Sequence, residues 1–160
     1  MIDVLRWIVF FLILKKAFDF VLHELILLKL SSLNIPVNVL LWLRDYFTER
    51  KQCVVVNSKK STCVDVTSGV PQGSVLGPLL FLIFINAITM GIESSIRLYA
   101  DDCVIYRSVH NSVDSTALQR DIDRISDWCE SWPMNLNIDK CHHVRFTKKQ
   151  QLNRCFSRTA

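Results

Sequence analysis

The sequence predicts an α+β fold in which helices back one face of an antiparallel sheet. Three observations carry that prediction. Trp7 to Leu14 is an unbroken apolar run of eight residues, the pattern of a strand buried on both faces. Ser95 to Leu98 and Cys103 to Tyr106 are strand-like runs on either side of Tyr99-Ala100-Asp101-Asp102, so they read as a hairpin with an acidic turn. Asp114 to Ser131 is an amphipathic helix, followed by a last strand over about His142 to Thr147. Leaving out an early helix pair and the hairpin after it, the order is strand, helix, strand, strand, helix, strand. That is a ferredoxin-like βαββαβ core, in which the first strand lies beside the acidic hairpin.

The remaining elements follow in order. Lys15 to Asp19 reads as a turn. A helix is expected over about Leu22 to Leu30, where Leu22, Leu25, Ile26 and Leu30 share a face. Leu27 and Leu28 widen that face, which implies burial on more than one side. Pro36 suits the first turn of a second helix that carries Val37, Leu40, Leu41, Leu43 and Phe47 and ends near Arg50. Cys53 to Val56 and Cys63 to Thr67 flank the turn-like Asn57-Ser58-Lys59-Lys60, which reads as a second hairpin in a basic stretch. Ser68 to Ser74 is a loop with two glycines and a proline. Leu76-Gly77-Pro78 opens a helix whose Leu79 to Ile85 is apolar all round and therefore expected to be buried on most faces. In the helix from Asp114, Leu118, Ile122, Ile125 and Cys129 form the inner stripe. Arg120, Asp121, Asp123, Arg124 and Glu130 are assigned to the outer face. Pro133 ends it.

The 160 residues suffice for one domain with a proper core, and half of them are hydrophobic, which argues against disorder. No linker or repeat divides residues 1–160, so a single domain is expected. Net charge is +4, a mild excess that suits a polyanionic partner. Arg145, Lys148, Lys149, Arg154 and Arg158 lie beyond Cys141 with no acid among them, so residues 148–160 form a basic tail, either solvated or in contact with nucleic acid. Neither apolar run approaches the roughly 20 residues of a membrane span, and no secretion signal stands out. An intracellular protein, in cytoplasm or nucleus, with no membrane partner and no obligate oligomer is expected. The six cysteines form no Cys-x-x-Cys pair and read as buried reduced thiols. Cys141-His142-His143 does not read as a zinc site, because consecutive strand residues face opposite ways.

The chemistry is concentrated at Asp101 and Asp102. Adjacent carboxylates repel unless a cation lies between them, and Mg²⁺ is a hard ion that prefers oxygen ligands and bound phosphates. The Gly-Val-Pro-Gln-Gly loop adds backbone amides and the Gln72 side chain, with basic residues near both in sequence. A two-metal site for phosphoryl transfer has this character. An acidic turn can also be no more than a solvated loop.

Ser68-Gly69-Val70-Pro71-Gln72-Gly73-Ser74-Val75-Leu76-Gly77-Pro78-Leu79-Leu80-Phe81 resembles the central motif of reverse transcriptases of non-long-terminal-repeat (LINE-type) retrotransposons. Tyr99-Ala100-Asp101-Asp102 is similar to their metal-binding motif. Lys16-Ala17-Phe18-Asp19 with His23 resembles the end of their first palm motif. Arg50 and Gln52 before a β-branched strand, Trp132-Pro133-Met134, and Asn137 to Cys141 fit as well. The resemblance covers about Trp7 to Thr147. It implies a polymerase palm with partial fingers and no thumb, acting on an RNA template, a DNA primer and deoxynucleoside triphosphates. It further implies that Asp101 and Asp102 hold two Mg²⁺ ions. Phe18, beside Ala17, would pack under the incoming sugar and exclude a 2′-hydroxyl. Pro71, Gln72 and Gly73 would contact nucleotide and template, and Lys140 would donate a proton near the phosphates. On residue chemistry alone, Phe18 could equally be core and Lys140 a solvated turn lysine.

One position departs from the family pattern. Three residues before Lys16, where the family carries an aspartate that bridges both metals, this chain has Ile13. Asp3 lies too far along the strand to substitute. Twelve residues precede Ile13, fewer than the family's fingers need, and no primer grip, thumb or nuclease segment is recognisable. The expectation is a degenerate, truncated copy with negligible polymerase activity. Two other readings remain open: a non-catalytic RNA-binding module on the same βαββαβ order, for which no Lys/Arg-Gly-Phe-type strand is present, and a non-functional retroelement remnant.

Overall fold

The computed structural model describes residues 6–147. The basic tail over 148–160, and Cys155 within it, lie outside the described residues.

Strand β1 (Arg6–Ile13) runs up the middle of a four-stranded antiparallel sheet. Beside it lies β7 (Asp102–Val109), then β6 (Ser95–Tyr99) at that edge, while β8 (His142–Thr147) forms the other edge. The order β6-β7-β1-β8 is the predicted one, with the first strand against the acidic hairpin. Register follows from side-chain alternation. Leu12 faces Cys103 and Phe10 faces Ile105, so that their side chains meet the helices. Leu12, Leu14, Cys103 and Ile105 form one core with Ile26 and Leu30 of α1 (His23–Ser31), Leu80, Phe81, Phe84 and Ile85 of α3 (Leu76–Ile85), and Leu118, Ile125 and Cys129 of α4 (Ser112–Ser131). Burying an aliphatic or aromatic side chain of this size contributes about 1.5–3 kcal/mol. No helix among the described residues is long and apolar enough to cross a membrane.

Several expectations are corrected. β1 is not buried on both faces: Trp7 is 38% exposed, and Val9, Phe11 and Ile13 are only partly covered. Alternation sends these odd-numbered residues to the face without helices. α1 buries one stripe, Ile26 and Leu30, and leaves Leu28 68% exposed. Pro36 lies just before α2 (Val37–Phe47) instead of inside its first turn, and α2 stops at Phe47 because Thr48 turns extended and bonds back to Arg44. Val37, Leu41 and Trp42 of α2 are exposed, as are Leu79 and Leu82 of α3, because each helix is packed from one side only.

The second hairpin is broken in two. β2 (Lys51–Gln52) pairs with β5 (Val64–Asp65), and β3 (Val55–Val56) pairs with β4 (Lys59–Lys60). The returning strand carries one more residue between these ladders than the outgoing one, which offsets the register as a bulge does. Its turn is Asn57-Ser58, both at positive φ, as a tight hairpin turn requires.

α4 starts at Ser112, before the expected Asp114, because Asn111 and Asp114 form a capping box. Asp121, assigned to the outer face, is 0% exposed. Its carboxylate accepts from the Glu93 and Ser94 amides at 3.1 and 2.8 Å and from Arg124 at 3.1 Å, and so anchors the start of β6. Burial opposes ionisation there, but the Ser94 hydroxyl, the two amides and Arg124 outweigh it and hold the carboxyl below its ordinary value. The cysteines also divide. Burial, with Cys129 and Cys141 nearby, pushes Cys103 up to about 12, and burial, with Cys141, pushes Cys129 up to about 11, so both stay protonated. Cys63 is exposed and Cys53 and Cys141 are half-buried, contrary to expectation.

Removing the Asp121 carboxylate should strand the Glu93 and Ser94 amides, while Arg124 keeps the Gly91 carbonyl and Glu93. Asp121→Ala should lose about 3 kcal/mol at neutral pH by chemical denaturation. Because the folded-state pKa is depressed, this stabilisation is present above the ordinary value of 3.8 and lost as pH falls through the folded value. The gap between parent and variant should therefore narrow below that pH.

Candidate functional site

The acidic turn is built by the β6–β7 register. Tyr99 pairs with Asp102, which leaves Ala100 and Asp101 to make the turn, Ala100 at φ +51°. Asp102 is therefore the first residue of β7, and Asp101 sits one step back in the bend. The same register on the other side of β7 puts Ile13 directly opposite Asp102. Leu14 N–H donates to the Asp101 carbonyl at 3.0 Å, which makes Ile13 and Asp102 a non-hydrogen-bonded pair, the kind that brings side chains closest. Both project to the sheet face that carries no helix.

On the other flank of β1, Asn137 N–H donates to the Ile13 carbonyl at 2.7 Å, and Lys15 N–H to Asn135 at 2.7 Å. The Ile13 amide donates to Cys141 Sγ at 3.4 Å. This places the Asn137–Cys141 turn, with exposed Lys140, at the same end of the sheet as the two acids. His142 and His143 stack on Phe11 and Phe10, on opposite faces of the strand pair.

Beyond Ile13 the chain turns through Lys16, at φ +49°, into a short 3₁₀ turn over Ala17–Asp19. Phe18 is five positions on from Ile13, so the two lie within about 18 Å. The glycine-proline loop is bonded to this turn: Val70 N–H to the Phe18 carbonyl at 2.9 Å, Gly69 N–H to the Val21 carbonyl at 2.8 Å, and His23 Nε2 with the Gly69 carbonyl at 2.9 Å. Gly69 is at φ +88°, and a Cβ there would lie 3.0 Å from Asp19 Cα. A Cβ on Gly77 would lie 2.5 Å from the Pro71 carbonyl oxygen. Here glycine is demanded by the close approach of backbones. The loop and Phe18 enclose a pocket of about 230 Å³ lined by Phe18, Val70, Pro71, Gln72, Gly73, Gly77 and Pro78. Phe18 is half-buried, its ring stacked on Phe81 with centroids 4.1 Å apart; Ala17 is fully buried.

The expected residues therefore form two groups, linked by the short stretch of chain from Ile13 to Phe18. Asp101, Asp102, Ile13 and the Lys140 turn share the sheet end; Phe18, Pro71, Gln72 and Gly73 line the pocket. Two carboxylates make an oxygen donor set for a divalent ion, but among the described residues no three His, Cys, Asp or Glu side chains gather to hold one. Ile13, which faces Asp102 across the strands, carries no oxygen to add to the two carboxylates. The residues present do not fit a two-ion centre. Phe81 as the support of Phe18, and Asp19 as a partner of Gln72 at 2.9 Å, were not foreseen. Phe81 lies inside the motif read from the sequence, whereas the Asp19 contact spans 53 residues and leaves no local pattern.

A family model described as reverse transcriptase (RNA-dependent DNA polymerase) matches residues 4–154. The RNA-directed DNA polymerase from mobile element jockey of Drosophila funebris is 35% identical over 146 residues, which are 86% of this chain and 16% of that protein. The probable RNA-directed DNA polymerase from transposon X-element of Drosophila melanogaster is 35% identical over 149 residues, again 16% of its length. The chain thus spans about a sixth of the curated relatives it matches. Among solved structures, apo telomerase from Candida tropicalis, truncated from the C-terminal domain, shares the fold: TM-score 0.53 over 91% of this chain and 32% of that one, at 9% identity.

The loop geometry separates two glycines. Gly77→Ala should cost about 1–3 kcal/mol, because its methyl meets a backbone carbonyl that cannot move alone. Gly73→Ala, with no atom within 4 Å but φ +81°, should cost about 1 kcal/mol through conformation only. Denaturation midpoints compare them.

Proposed function

This chain belongs to the reverse transcriptase (RNA-dependent DNA polymerase) family, and we propose that it is the palm of a non-long-terminal-repeat retrotransposon polymerase whose own catalysis is crippled at residue 13. The observation that carries this reading is the register of β1 against β7. It sets Ile13 beside Asp102, where an ion shared by the two strands would need oxygen.

In this reading Asp101 and Asp102 are the Mg²⁺-binding positions, and the isoleucine leaves the donor set one carboxylate short. The pocket beside them takes the sugar and base of a deoxynucleoside triphosphate. Phe18, stacked on Phe81, forms its floor, and in this reading its ring excludes a 2′-hydroxyl. Ala17 packs behind it, while Pro71, Gln72 and Gly73 border the nucleotide and template. Lys140, on the turn that flanks Ile13, gives up a proton near the phosphates in this reading. The natural partners are an RNA template and a DNA primer, in nucleus or cytoplasm. The described residues act as one palm-type unit.

Primer extension on an RNA template with Mg²⁺ tests the proposal. The parent chain should give no extension above background. Ile13→Asp should raise any synthesis by at least about 100-fold, the scale of one preorganised charge-stabilising group. Robust synthesis by the parent would overturn it.

A further inference from the structure

Asp19 is gripped at both ends by the loop that faces it. Its main-chain carbonyl accepts from Ser68 Oγ at 2.8 Å, and its Oδ1 accepts from Gln72 Nε2 at 2.9 Å. A Cβ built on Gly69 would lie only 3.0 Å from Asp19 Cα and from its carbonyl oxygen, so the spacing of loop and turn has little slack. An ionised carboxylate only accepts, so the Gln72 amide must turn its NH₂ toward Asp19. The carbonyl oxygen of that amide is then left for a ligand. Gln72 is the one polar side chain in the pocket wall; the others are Phe18, Val70, Pro71, Pro78 and two glycines.

We propose that Asp19 is a positioning residue that sets the selectivity of this pocket. By fixing the Gln72 amide, it presents a single oriented acceptor in an apolar wall, so that a ligand ring bearing a hydroxyl donor is favoured over the same ring without one. A site that offers an acceptor discriminates against an analogue that cannot donate to it. The inference rests on the nucleotide reading of the pocket and adds the origin of its preference for a sugar hydroxyl.

Equilibrium binding of thymidine triphosphate and of its 2′,3′-dideoxy counterpart to the full chain is the test. The parent should favour the hydroxyl-bearing nucleotide by about 3- to 10-fold, the worth of one hydrogen bond. Asp19→Ala should bring that ratio to about 1 while affinity for the dideoxynucleotide stays unchanged. Gln72→Ala should also bring the ratio to about 1, and adding Asp19→Ala to it should change the ratio no further. A ratio unmoved by Asp19→Ala, or equal weakening of both nucleotides, overturns the proposal. Binding of neither nucleotide by the parent overturns the nucleotide reading and the selectivity with it. In that case the tether is judged separately, by the ¹⁵N-resolved Gln72 side-chain amide. That signal should move in the near-isosteric Asp19→Asn, and an unmoved signal refutes the tether too.

Discussion

The antiparallel register of β1 between β7 and β8 is the constraint on which the rest depends. A slip of one residue would turn Leu12 and Leu14 out of the core and Ile13 into it. It would also separate residue 13 from Asp102. The apolar contacts of Leu12, Leu14, Cys103 and Ile105 with the helices therefore set the site geometry as well as stability. The site inherits its precision from packing many residues away. The buried Asp121 carboxylate extends the same logic, since it anchors the start of the strand whose far end makes the acidic turn.

The second half of the site is a backbone clamp. The 3₁₀ turn over Ala17–Asp19 and the glycine-proline loop are joined by main-chain bonds from Gly69 and Val70 as well as by the His23, Ser68 and Gln72 side chains, and Gly69 in the loop and Gly77 in α3 are positions where a Cβ would meet backbone. Such a clamp makes the pocket around Phe18 independent of which residue stands at position 13: the two groups are held by different forces.

Much of this was legible in the sequence because it is local. The eight-residue apolar run, the acidic turn and the bounds of β8 need only periodicity and turn chemistry. The stripe of α4 was read correctly except at Asp121, and the signal there was available: residue 121 is three after Leu118 and four before Ile125, on the buried face by spacing alone. Charge was allowed to outweigh position. The one-sided burial of α1, α2 and α3 was not legible, because an all-round apolar helix does not tell which of its faces finds a partner. Nor was the offset in the 51–65 hairpin, where exposed valines carry no inward pattern. The Asp19–Gln72 contact depends on the loop's path through space, which no short-range pattern encodes.

The account stands on residue 13 and the Asp101–Asp102 pair reaching for one ion, and Mn²⁺ titration of the chain and of Ile13→Asp measures that directly. A third carboxylate on the facing strand should tighten binding by about tenfold or more, and Asp102→Asn in the same background should remove the gain. Equal, weak affinity in both chains would mean that Ile13 does not stand where an ion ligand belongs.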